Sequence, residues 1–246
     1  MDLVLFSIGV VGNVISVLTF ASPITAFWRI IQSRSTGYFE PTPYVVTLLS
    51  SSFWVYYGVT KPDAFLVATV NGVGAVLEAI YVSLFLLYAN PSQRMKTAVL
   101  VGGLDVGAFG AVFLVTWFGI HDESVRISVI GTIGGFLNIL MYSSPLAAVK
   151  TVINTKSVEF MPFFLSLFLF LNGGVWTAYA ILAQDVFLGI PNGIGFFLGL
   201  IQLAIYMIYM NSKASTNSNE TVEENQQPLI QPSYDVDREI DSSDRV

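Results

Sequence analysis

The sequence predicts an all-α membrane protein, with seven transmembrane helices arranged as two parallel three-helix bundles joined by a linker helix. Three observations predict it. Of 246 residues, 54% are hydrophobic and only 11% are charged, too few for the solvated surface of a soluble domain. The apolar residues form seven runs of roughly 20, each long enough to cross a ~30 Å hydrocarbon core as a helix. They lie at about 4–28, 43–60, 64–88, 98–120, 127–150, 162–183 and 186–210. The third observation is an internal repeat. Ser22-Pro23, Arg34-Ser35-Thr36, Trp54 and Asn71-Gly72-Val73-Gly74 return as Ser144-Pro145, Lys156-Ser157-Val158, Trp176 and Asn192-Gly193-Ile194-Gly195, shifted by 121 or 122 residues.

The first run follows Asp2 with no basic residue and already carries the first repeat copy, so it reads as a span and not as a cleaved signal. None of the runs alternates polar and apolar residues as a β-barrel strand would. Runs one to three make the first repeat, residues 1–90. Run four, within 91–122, matches neither copy and supplies the extra crossing that places both repeats in one orientation. Runs five to seven make the second repeat, residues 123–212. Arg29, Arg34, Arg94, Lys96, Lys150, Lys156 and Lys213 all fall on one side, against Lys61 and Arg126 on the other. The positive-inside rule then places the N-terminus outside or in a lumen and the C-terminus in the cytosol. Residues 214–246 hold two basic and eight acidic side chains and carry all of the net charge of −6. This polar stretch, taken as 213–246, is expected to be a disordered cytosolic tail. Its sequon, Asn219-Glu220-Thr221, would face the wrong compartment for glycosylation.

Two doubled residue types suggest a ligand. Trp54, Tyr57 and Lys61 follow one face of span two, and Trp176 and Tyr179 repeat the first pair on span six. A Trp ring offers a large apolar face to the C–H side of a sugar ring; the competing reading is a membrane-interface belt. Asn71 and Asn192 each sit inside an apolar run, where an amide is costly unless it is paired or faces a wet cavity. An amide both donates and accepts, which suits hydroxyl groups; the alternative is helix–helix glue beside packing glycines. Together they point to a neutral, polyhydroxylated ligand. Pro23 and Pro145 are expected to end spans one and five, and Pro43 and Pro162 to begin spans two and six. All four fall on the cytosolic side, where they would form a gate hinge as well as terminate helices. Glu78 is read as a structural hydrogen-bonding residue. Asp105 has no assigned role. Since the doubled set is neutral, facilitated diffusion is the simpler mechanism.

No catalytic constellation is present, and no metal, cofactor or nucleic-acid partner is expected. The chain has no cysteine, and its single histidine, His121, lies in a loop beside Asp122 and Glu123. A rhodopsin-like receptor would lack the three-helix repeat and usually has an outer disulfide. A retinal pump needs a lysine in span seven, and residues 186–210 contain none.

Gly12-Asn13, Ser22-Pro23, Pro43-Tyr44, Trp54-x-x-Tyr57, Asn71-Gly72, Tyr142-x-x-Pro145, Lys156 through Phe163, Trp176 and Pro191-Asn192-Gly193 carry a resemblance to the eukaryotic SWEET sugar transporters over residues 5–212. SWEETs are a reference case of parallel repeats with a site between them. The resemblance implies a sugar site at Asn71, Asn192, Trp54 and Trp176, with Ser50 also lining it and Ser16, Thr19, Asn138 and Met141 tuning substrate size. Bulky Met141 points to a monosaccharide. An outer gate maps onto Tyr57, Lys61 and Asp185, with Tyr179 as the repeat mate of Tyr57, and a proline tetrad onto Pro23, Pro43, Pro145 and Pro162. The expected activity is bidirectional uniport of fructose or glucose by alternating access. The chain resembles the plant vacuolar subgroup most, through Asn138, Tyr142 and Leu171-Asn172-Gly173, with the plasma membrane as the alternative site. Glu223 through Ile230 resembles an acidic dileucine sorting signal. The expected partners are the sugar and membrane lipid; homo- or hetero-oligomers are compatible with the plan.

Overall fold

The computed structural model describes residues 3–158, 161 and 163–210. Pro162, the tail and its sorting motif therefore lie outside the described residues. The chain forms α1 (Leu3–Ala21), α2 (Ile24–Ser33), α3 (Thr42–Thr60), α4 (Phe65–Tyr88), α5 (Pro91–Leu100), α6 (Phe109–Leu114), α7 (Glu123–Met141), α8 (Ser143–Thr155), α9 (Phe163–Leu182) and α10 (Val186–Tyr209). Two π-helical stretches, Val101–Ala108 and Val115–Gly119, make α5 and α6 one continuous linker helix.

Six helices among the described residues are long and apolar enough to span a membrane by themselves: 3–33, 65–88, 91–119, 123–155, 163–182 and 186–209. The seventh, α3, is as long as α1 but carries six Ser or Thr and three Tyr residues. It tolerates them because nine of its 19 residues are buried.

The expectation that Pro23 and Pro145 end their spans is corrected. The first span runs on as α2 and the fifth as α8. At the first break Ser22 N–H bonds the Thr19 carbonyl (3.1 Å) and the helix resumes with Phe27 N–H on Pro23 (3.0 Å). The Tyr81 hydroxyl donates to the Phe20 carbonyl (3.0 Å), satisfying an acceptor that the break leaves over. Pro145 lies in the first turn of α8, where the missing N–H removes no helical bond, and Pro43 likewise in the first turn of α3. Arg34 and Lys156, repeat mates, end α2 and α8 in the left-handed conformation (φ 51° and 55°). Side chains set other starts. Asn90 accepts from Gln93 N–H, Asp122 from Ser124 and Val125 N–H, and Asp185 from Leu188 N–H.

In each repeat the third helix lies between the other two: α4 contacts α1 and α3, while α10 contacts α7 and α9. The repeats meet along two equivalent seams, α1 with α9 and α3 with α7. The linker lies along α3. Phe53 packs edge-on to Phe109 (5.0 Å between centroids), and the Tyr56 hydroxyl is 3.0 Å from Thr116 Oγ1.

Glycines let the seams close. On α1, added Cβ atoms at Gly9 and Gly12 would lie 3.0 Å from the rings of Tyr179 and Trp176. On α7, those at Gly131 and Gly134 would lie 2.7 and 3.2 Å from Tyr57 and Trp54. Gly58 is tighter still, because its added Cβ would come 2.5 Å from the backbone nitrogen of Ala68, which cannot move aside. Gly58→Val is therefore expected to destabilise the α3–α4 crossing by about 3 kcal/mol. Thermal unfolding of the purified protein in detergent checks this.

Candidate functional site

A cavity of about 310 Å³ opens at the seam between the repeats. It is lined by Asn71, Asn192, Trp54 and Trp176, and by Ser50, Ser16, Thr19, Asn138 and Met141, which brings together every side chain assigned to the ligand.

Its polar groups are arranged by the repeat. Asn71 Nδ2–H donates to the Val67 carbonyl (2.9 Å) and Asn192 Nδ2–H to the Leu188 carbonyl (2.8 Å), each one turn back on its own helix. Both amides are thereby held in the same attitude. Trp54 Nε1–H donates to Asn138 Oδ1 (3.2 Å), which also accepts from Ser50 (3.0 Å). Trp176 Nε1–H donates to Ser16 Oγ (2.9 Å), and Ser16 donates to Asn172 Oδ1 (2.5 Å). The two clusters are mates with serine and asparagine exchanged: Ser16 corresponds to Asn138, and Ser50 to Asn172. Each bonds one repeat to the other. The indole N–H groups are thus engaged across the seams, and both rings line the cavity.

Outside the cavity lining, a polar cluster joins the end of α3 to the start of α10. Lys61 Nζ lies 2.6 Å from Asp185 Oδ2, and the Tyr57 hydroxyl donates to the same carboxylate (2.8 and 2.9 Å). Lys61 also donates to the Tyr57 oxygen (3.3 Å). The Asp185 side chain is 2% exposed and that of Lys61 is 23% exposed. Tyr179, by contrast, donates to the backbone carbonyl of Asp63 (3.3 Å), so the mate of Tyr57 holds a loop and not the ion pair.

The cavity also carries a carboxyl group. Glu78 lines it, and its Oε2 has no hydrogen-bond partner among the described residues. The structural hydrogen bonding expected of Glu78 is thereby corrected: sequence shows that an acid lies in a span but not what faces it. Both Asp105 oxygens are also unpartnered, on the linker helix. Phe20, Thr47, Tyr142 and Leu169 line the cavity as well and were not singled out for it. A signal existed for these and for Asn172, because the repeat shift pairs Phe20 with Tyr142, Thr47 with Leu169 and Ser50 with Asn172. Among the described residues no cluster of His, Cys, Asp or Glu could hold a metal ion.

Parallel repeats enclosing a polar cavity at their interface define the architecture of a secondary transporter, built into an integral, multi-pass membrane protein. A family model described as sugar efflux transporter for intercellular exchange matches residues 6–93 and 128–214, and the chain belongs to this family. The bidirectional sugar transporter SWEET16 of Arabidopsis thaliana is 51% identical over 228 residues, covering 92% of this chain and 97% of that protein. SWEET17 of the same plant is 52% identical over 214 residues, covering 87% and 89%. A eukaryotic SWEET transporter solved at 3.7 Å superposes with a TM-score of 0.79 at 39% identity, covering 84% of this chain and 97% of that one. The relatives are transporters and not enzymes, and the family resemblance read from the residues holds.

Proposed function

We propose that this protein is a bidirectional monosaccharide uniporter, carrying fructose and glucose down their gradients by alternating access. One observation carries the reading: doubled tryptophans and amides from both repeats converge on a single cavity. The names of the relatives support sugar as the cargo. The cavity volume is at the low end of the ~300–1,000 Å³ usual for small-molecule sites, which favours a monosaccharide over a disaccharide. Sugar hydroxyls bond to Asn71 and Asn192 while Trp54 and Trp176 cover the C–H faces. The repeats, residues 1–90 and 123–212 with 91–122 as linker, rock as units about the ends that carry Pro23, Pro43, Pro145 and Pro162. The Lys61–Asp185 gate opens as the proline end closes.

On the distribution of basic residues, the gate faces the outside or a lumen and the C-terminus lies in the cytosol. The subgroup resemblance favours the tonoplast. Lipid covers exposed apolar side chains such as Leu114, Val115 and Phe118.

Counterflow tests the reading: purified protein in liposomes should exchange labelled glucose or fructose without a pH gradient. Glu78 in the cavity favours proton coupling as the second reading, and uphill accumulation driven by an imposed pH gradient would select it. Met141→Ala enlarges the cavity and is expected to admit sucrose at a rate at least about tenfold above wild type, measured in the same liposomes.

A further inference from the structure

Around Asn71, Asn192 and the tryptophans, each polar group on one side of the cavity is answered by its mate on the other. Towards the proline-bearing end that correspondence fails. Thr47 of α3 answers to Leu169 of α9, both lining the cavity. Glu78 of α4 answers to Gly199 of α10 under the same 121-residue shift that relates Asn71 to Asn192. At Gly199 an added Cβ would lie 2.6 Å from the backbone nitrogen of Phe170, so no side chain fits there. Tyr142 of the second repeat, the mate of Phe20, spends its hydroxyl proton on the Pro191 carbonyl (2.9 Å), so among the described lining residues the carboxyl stands on the first repeat alone.

Glu78 is 4% exposed. Among the described residues its Oε2 has no partner, and the ion pairs are Lys61–Asp185 and Lys96–Glu40, so no cation answers it. Tyr81, on the same helix, gives its proton to the Phe20 carbonyl instead. For the fold alone such an acid is a burden, since an apolar side chain of similar size would be neutral or stabilising there. Glu78 lies seven residues after Asn71, on the same helical face and about 10 Å further along.

A hexose has no two-fold axis, and a two-fold symmetric site cannot fix its orientation. We propose that Glu78, with Thr47, is a contact that fixes the orientation of the sugar in this pseudo-symmetric site. Its carboxyl accepts a hydrogen bond from one sugar hydroxyl, turning the polar edge of the ring to the first repeat and a C–H edge to Leu169. The inference rests on the sugar reading above and names a specificity residue within that site.

The test compares KM for glucose and for each of its monodeoxy analogues, using wild type, Glu78→Leu and Glu78→Gln in liposomes. In wild type one analogue should show a KM raised about tenfold, the cost of one lost hydrogen bond to a polar group. In Glu78→Leu, glucose itself should show that raised KM and the analogue should no longer differ from it, while the variant melts at or above the wild-type temperature. Glu78→Gln, which keeps an acceptor oxygen, should preserve the discrimination. Three results would overturn the proposal. One is an unchanged analogue pattern in Glu78→Leu. Another is a lower melting temperature with a uniform rate loss for every sugar, which marks a purely structural role. The last is loss of pH-driven accumulation in Glu78→Gln, which marks a proton relay. Absence of any sugar uptake by wild type would instead defeat the sugar reading itself, before a variant is compared, and this proposal with it.

Discussion

Replacing Asn192 or Asn71 by alanine is expected to abolish sugar exchange while leaving the protein folded. Each amide makes one hydrogen bond, to a carbonyl of its own helix one turn back. Removing that bond costs the fold little, about 1 kcal/mol or less, since the carbonyl keeps its place in the helical ladder. The ligand loses more. A hydroxyl desolvated in the cavity and left without its partner costs about 1–3 kcal/mol, and an amide that both donates and accepts loses two such bonds. Exchange should therefore fall by about a hundredfold or more at sugar concentrations below KM. Initial rates in liposomes, normalised to folded protein by size exclusion, measure it. Wild-type rates in either variant would contradict the assignment of the amides. Because the two asparagines are mates across the pseudo-axis, the losses should be similar.

The second large effect is expected at the gate. Asp185→Asn removes the charge that holds Lys61 and accepts two short contacts from the Tyr57 hydroxyl. Breaking a buried pair by deleting one partner costs roughly 3–5 kcal/mol. The partial exposure of Lys61 lowers this to about 2 kcal/mol, or about a thirtyfold shift away from the closed state. The same side chain also caps α10 through Leu188 N–H, a role that asparagine retains, so the helix start should survive. The chain contains no cysteine, which makes a single Ser51→Cys reporter in the cavity clean to label. An impermeant maleimide added on the Lys61 side should react much faster in Asp185→Asn than in the otherwise wild-type reporter. Equal rates would show that the ion pair does not hold that end shut.

Much of this plan was legible in the sequence because membrane spans and repeats leave strong, independent marks. Length and hydropathy locate helices without knowledge of neighbours. A shift of 121 or 122 residues then says which side chains occupy equivalent places. Trp54 with Trp176 and Asn71 with Asn192 could be paired that way, and the structure brings all four to one cavity.

What stayed hidden depends on contacts. The continuation of the first span past Pro23 needs the hydroxyl of Tyr81, which lies about sixty residues away and compensates the break. The polar composition of α3 makes sense only once its burial is known. The exchange of serine for asparagine between Ser16–Asn172 and Asn138–Ser50 escapes a search for identical residues, although the positions correspond. Glu78 shows the limit most clearly. Its spacing from Asn71 gives the helical face, but only packing shows that its carboxyl lines the cavity and lacks a partner.

The most direct measurement is a structure of the protein crystallised with an iodinated hexose, located by the anomalous signal of the iodine. A peak between Trp54 and Trp176, within reach of Asn71 and Asn192, is the expected result. A sugar bound on the lipid-facing surface or in another crevice, with the central cavity holding only water, would contradict the account.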